Sequence, residues 1–411
     1  MPIIYGRVLK KIKSNYFYSS ILFSFFLFLP FLFSNNISSD WDSYAIIGTY
    51  LNIAESRIYI PSRPPGFPLY EIIVSLVISI SNVVGINFEY LLLFFQFLSL
   101  IGLNFVIYKF IQKDNDLQNI NYLFIVFSPI YIISGFTVID YTLGALLGFS
   151  AIYLYFYSTK FKNSIIFPSL LIAFSSAVRL SNLIYMLGLV IFLIAIKRES
   201  LIALKLFSLT LMFCFFLYLP FYINLYNFMN QTSDIKNFYD FLCVFNLTNT
   251  DQDLYNRIGR FTLKQINFFG TLGFLLFILN FKNYKLPRLN EKSYFIIIFL
   301  LFQLSFLRLP TEEGHLLPAF ICLFLILKIN FNKLSLAVLL LVFFANFIDL
   351  KFYEVDVPNH ASQAFLNIKF YDGFLIEDFK ERDFKGLDKN FNYQNAKKSV
   401  YDAWSQGCPN V

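Results

Sequence analysis

Apolar runs of roughly 15–22 residues recur from Phe17 to Leu350, and this recurrence constrains the fold more than any other feature of the chain. Such a run, wound as a helix, crosses a hydrocarbon core of about 30 Å. Inside lipid each backbone polar group must find its partner within the segment, so helices are the form these runs take. The expected fold class is therefore an all-α polytopic membrane protein. Composition agrees: 57% of the 411 residues are hydrophobic and only 14% are charged, against about 25% charged in a soluble domain. Between Met1 and Leu350 no stretch is left for a sizeable soluble domain.

The formal charge of +7 raises the question of nucleic acid, but its distribution answers it. Basic residues come in small groups between apolar runs: Arg7 to Lys13, Lys109 and Lys113, Lys160 and Lys162, Lys197 to Lys205, Lys282 to Lys292, Lys328 and Lys333. This is a positive-inside pattern, and it assigns these groups to the cytoplasm. No aromatic-basic platform for nucleic acid is visible. Crossings are expected near 17–34, 90–110, 119–136, 141–158, 165–179, 181–196, 203–224, 263–280, 293–308, 314–328 and 334–350, about eleven in all. The parity works only if Ile72–Val84 makes no net crossing; its length, under about 18 residues, suits an interfacial or re-entrant helix. No small-residue cleavage site follows Phe33, so the first segment reads as an uncleaved anchor with a cytoplasmic N-terminus. Residues 1–350 then form one transmembrane domain with outer loops at 35–90 and 225–262, and 351–411 form a small extracytoplasmic tail.

Ionisable groups beside a membrane are costly and tend to be functional. They concentrate in the first outer loop, in Asp40-Trp41-Asp42-Ser43-Tyr44 and in Ser62-Arg63-Pro64-Pro65-Gly66-Phe67-Pro68-Leu69-Tyr70-Glu71. Further outer turns add Asp140, Arg179 and the run from Arg308 through Glu312 to His315. Each has a plainer reading. Asp40 and Asp42 suit a helix N-cap, Arg179 suits snorkelling, and Arg308 with Glu312 suits a weak surface pair. Cys214 and Cys322 lie in apolar runs and read as packing, whereas Cys243 and Cys408 fall outside with no spacing to support a bridge. The sequence carries no Cys/His cluster or HExxH of the zinc type, so no protein metal site and no cofactor are expected.

The first loop, with Asp40 and Tyr44 followed by Arg63 to Leu69, resembles the GT-C superfamily of membrane glycosyltransferases, in particular the bacterial branch of protein O-mannosyltransferases and aminoarabinose transferases. Asp140 is similar to a second outer acid of those families. Arg308 to Pro318 resembles their late turn, with His315 in place of an aromatic residue. The resemblance covers about residues 17–350 and does not extend into the tail. It implies a GT-C-like bundle in a bacterial plasma membrane. The implied reaction moves a sugar from a polyprenyl-phosphate donor, a co-substrate, to an outer lipid, glycan or protein acceptor.

The residues suit that chemistry. Transfer to a hydroxyl needs a base for its proton, and the departing phosphate needs cations. Asp40 is the expected base and Asp42 the second choice; Arg63, Tyr44, Asp140, Arg308, Glu312 and His315 are the expected substrate contacts. A surface-polysaccharide polymerase is the nearest alternative. A transporter or flippase is the alternative of another class, but it calls for broken helix pairs with ionisable groups near the midplane. Here the ionisable groups cluster at helix ends.

Overall fold

A computed structural model describes residues 2–34, 37–114, 119–157, 165–233, 254–266, 269–279, 284–285, 292–308, 313–330, 332–355, 364–387 and 392–406. Ten helices occupy the first part of the chain: α1 (Pro2–Leu32), α2 (Trp41–Ser56), α3 (Pro68–Val84), α4 (Phe88–Lys113), α5 (Asn119–Val126), α6 (Pro129–Phe136), α7 (Tyr141–Tyr157), α8 (Ile166–Val178), α9 (Leu183–Phe192) and α10 (Ser200–Thr232). Then come α11 (Leu254–Ile266), α12 (Thr271–Leu279), α13 (Lys292–Arg308), α14 (Leu317–Ile326), α15 (Lys333–Phe344), α16 (Phe374–Leu387) and α17 (Tyr393–Ser405). Two short antiparallel ladders complete the described chain, which is otherwise helical, as expected. One pairs Tyr284–Lys285 with Lys328–Ile329; the other pairs Ile348–Val355 with Ala364–Asp372.

Among the described residues three helical stretches are long and apolar enough to cross a membrane: Phe88–Lys113, Leu180–Lys197 and Ser200–Thr232. The pair α5 and α6 makes a fourth if its 54° bend, at the break before Pro129, lies within one span. The other apolar helices run 10–17 residues, so the count of about eleven crossings is not reached by length alone. The expected crossing at 263–280 is two helices, α11 and α12, parted near Gly270, whose φ of +67° suits a residue without Cβ. Helix α3 is one of the shorter ones. It buries Glu71, Val74 and Ile78 on one face and exposes Leu76, Ile80 and Val83 on the other.

The chain divides into two compact units. One comprises Met1–Phe31, Ser99–Gly135 and Gln252–Phe379. Its core is aromatic, with Phe124 stacked on Phe324 at 5.2 Å. It is pinned by Asn121, whose side-chain amide donates to the carbonyls of Phe324 (2.9 Å) and Leu327 (2.7 Å) and so satisfies the end of α14. The other unit comprises Leu32–Leu98, Phe136–Asp251 and Lys380–Val411. There α17 lies against α2. Gly48 permits this, because a Cβ at that position would stand 2.9 Å from the backbone of Ala396 and Lys397. Residues 351–411 therefore contribute to both units.

Candidate active site

All of the following geometry belongs to the second unit. Helix α2 starts at Asp40, whose Oδ1 accepts from the Asp42 N–H at 3.0 Å and so caps the helix. It ends at Arg57, whose φ of +59° turns the chain out of the helix. The loop that follows is held from several sides. Asn224 Oδ1 accepts from the Tyr59 N–H at 2.8 Å. Trp404 Nε1 on α17 donates to the Pro61 carbonyl at 2.8 Å, and the Tyr222 hydroxyl donates to the Pro65 carbonyl at 3.1 Å.

Glu71, in the first turn of α3, gathers the loop around one wholly buried carboxylate. Its Oε1 accepts from the Ser62 N–H (2.7 Å) and the Ser62 hydroxyl (2.6 Å). Its Oε2 accepts from the Tyr59 hydroxyl and, at 3.4 Å, from the Phe67 N–H. Burial pushes the Tyr59 hydroxyl well above its usual pKa and the Glu71 charge adds to this, so Tyr59 stays a donor.

With its neighbour Ser62 fixed in this way, Arg63 pairs with Asp42, and its Nη2 stands 3.6 Å from Asp140 Oδ1. Asp140, between α6 and α7, is completely buried, and Arg179 Nη1 donates to the same Oδ1 at 2.6 Å. Arg179 reaches it because the chain leaves α8 there in an extended conformation, φ −156°. Both guanidinium groups lie over the Phe67 ring, at 4.8 Å for Arg63 and 5.7 Å for Arg179, and Arg179 also lies 4.3 Å from the Tyr141 ring centre. Such cation–π contacts favour flat, desolvated guanidinium groups. Among the described residues, two buried atoms of this cluster lack a hydrogen-bond partner: the acceptor Asp140 Oδ2 and the donor Arg63 Nη2. Leaving such groups unpaired is costly. The cluster is therefore complementary to a ligand that presents an anionic oxygen and a hydroxyl close together.

Of the residues singled out from sequence, Asp42, Arg63, Asp140 and Arg179 come together. Asp40 lies beside them as the cap of α2. Tyr44 is buried, its ring stacked on Tyr393 at 5.5 Å and on Trp41 at 6.3 Å, and burial lifts its hydroxyl to about 12. Arg308 and His315 belong to the other unit: Arg308 is exposed at the end of α13, and the His315 ring is 6.4 Å from Phe306. Glu312, Asp253, Cys243 and Cys408 lie outside the described residues. Among the described residues no group of three His, Cys, Asp or Glu side chains converges on a common point. Sequence reasoning assigned no role to Glu71 or Tyr59. The available signal was a lone carboxylate opening an apolar helix directly after a Pro/Gly-rich loop.

No protein-family model and no curated protein matches the sequence. The fold is similar to the crystal structure of ArnT from Cupriavidus metallidurans in the apo state, with a TM-score of 0.52 and 12% identity. The match covers 82% of this chain and 60% of that one, so the chain spans about three fifths of that protein's length. The helical architecture expected from the resemblance is thus borne out at the level of the fold, which is ArnT-like.

Proposed function

We propose that the chain is a membrane glycosyltransferase of the GT-C type. It moves a sugar from a polyprenyl-phosphate donor to a hydroxyl of an extracytoplasmic lipid, glycan or protein acceptor, in a bacterial plasma membrane with the N-terminus cytoplasmic. One observation carries the reading: a half-buried acid, Asp42, and a buried one, Asp140, held by a pair of arginines, with one acceptor and one donor left open, in an ArnT-like fold.

The donor phosphate binds Arg63, whose planar fork suits phosphate oxygens, and this releases Asp42 from its ion pair. The acceptor hydroxyl gives its proton to the Asp42 carboxylate as its oxygen bonds to the anomeric carbon. The bond from that carbon to the phosphate oxygen breaks, and the phosphate keeps the electron pair, steadied by Arg63 and Arg179. Asp140 orients the two arginines and offers Oδ2 to a sugar or acceptor hydroxyl. The geometry favours Asp42 over Asp40 as base, because Asp40 Oδ1 is committed to the helix cap. Negative charge near the anomeric carbon also steadies an oxocarbenium-like transition state.

The test uses purified protein in vesicles supplied with a panel of polyprenyl-phosphate sugars. Release of polyprenyl phosphate from one member, dependent on acceptor and abolished by Asp42→Asn, is the expected result. A folded, inserted protein that releases it from none overturns the proposal.

A further inference from the structure

The acids of the cluster come from two segments far apart in sequence, and one buried side chain from the tail touches both. Arg382 lies on α16 and is completely buried. Its Nη1 donates to the Ile37 carbonyl at 3.1 Å, and its Nη2 donates to the Phe136 carbonyl at 3.0 Å and to the Thr137 hydroxyl at 3.2 Å. Neither contact is remote from the chemistry. Next to Ile37, the Ser38 hydroxyl accepts from the Asp40 N–H at 2.8 Å, and Asp40 in turn holds the Asp42 N–H. On the other side the Thr137 carbonyl accepts from the Ile139 N–H at 2.8 Å. The Ile139 carbonyl accepts from Gln96 Nε2 at 3.0 Å, and Asp140 follows directly. One guanidinium thus sets the spacing between the segment that carries Asp42 and the segment that carries Asp140.

We propose that Arg382 is a positioning residue for transfer: it fixes the separation of Asp42 and Asp140 without touching substrate. The proposal rests on the glycosyltransferase reading for its kinetic consequence, though not for its structural one. The fork is what matters. A guanidinium presents its donors in a rigid plane and can serve two segments at once, whereas an ammonium is a single point on a flexible stem. A small misplacement of catalytic groups costs turnover more than binding.

The test compares wild type with Arg382→Lys, which keeps the charge and stem, and with Thr137→Val, which removes one acceptor with little change of volume. Amide hydrogen exchange needs no substrate. In Arg382→Lys, peptides covering 37–44 and 136–144 should both exchange faster, while those from α10 remain unchanged; in Thr137→Val only the second should respond. In the transfer assay Arg382→Lys should lower kcat about tenfold or more per folded molecule with the donor KM within about twofold, and Thr137→Val should lower kcat a few-fold. Exchange that rises at neither or only one of the two segments in Arg382→Lys, or an unchanged kcat per folded molecule, overturns the proposal. A wild type inert toward every lipid-phosphate sugar overturns the glycosyltransferase reading, and exchange alone then decides on the brace.

Discussion

Glu71 and Asp140 are both completely buried carboxylates in the same unit, yet the chain treats them differently. Glu71 has donors on both oxygens: Ser62 twice, Tyr59 and Phe67. Nothing is left for a ligand to do there. Asp140 receives two guanidinium groups on the side of Oδ1 and none on Oδ2. A buried acid with every acceptor filled organises the chain around it. A buried acid held on one side and open on the other is stored binding capacity, because the unpaired oxygen has already lost its water. The two sites also cooperate. The Glu71 nest holds Ser62, and Ser62 delivers Arg63 to Asp140.

The largest expected effect is at Asp42. Asp42→Asn keeps the shape and removes the base, and transfer should fall by about 10²-fold or more. An unchanged rate would move the base away from the open cluster and break the comparison at its functional end. Arg63→Lys comes next. It keeps the charge but loses the planar fork, so the donor KM should rise about tenfold. If donor affinity is unchanged, Arg63 is only a structural partner of Asp42 and belongs with the Glu71 nest. The smallest effect is expected from Asp40→Asn. Asn caps a helix about as well as Asp, so stability and turnover should both stay close to wild type. A loss matching that of Asp42→Asn would return the role of base to Asp40.

The sequence made the scaffold legible where length and hydropathy decide. The expected crossings at 90–110 and 203–224 lie inside α4 and α10. It misled where a break is local, as at Gly270, and where the chain after residue 347, read as a crossing end and a tail, makes a two-stranded ladder. Each charged member of the site was visible as an ionisable group beside an apolar run. The pairings were not, because they join residues such as Asp140 and Arg179, 39 positions apart, through turns that no spacing rule specifies. Glu71 escaped for the same reason: its donors converge only once the Pro/Gly loop has folded back over α3. Arg382 was hidden in a charged tail that reads as solvated, and its burial follows from acceptors on two other segments.

The central claim is that the open acid works on substrate while the filled acid holds the fold. The most direct measurement is turnover per folded molecule for Asp140→Asn and Glu71→Gln, taken beside their melting curves. Asp140→Asn keeps an acceptor for Arg179 but loses the buried ion pair, so it should lose some stability and, per folded molecule, about 10²-fold or more in kcat. Glu71→Gln must set an amide N–H against existing donors, so it should lose about 1–3 kcal/mol of stability while its folded fraction turns over within about threefold of wild type. Glu71→Gln abolishing turnover at full stability, with Asp140→Asn remaining active, would contradict the account.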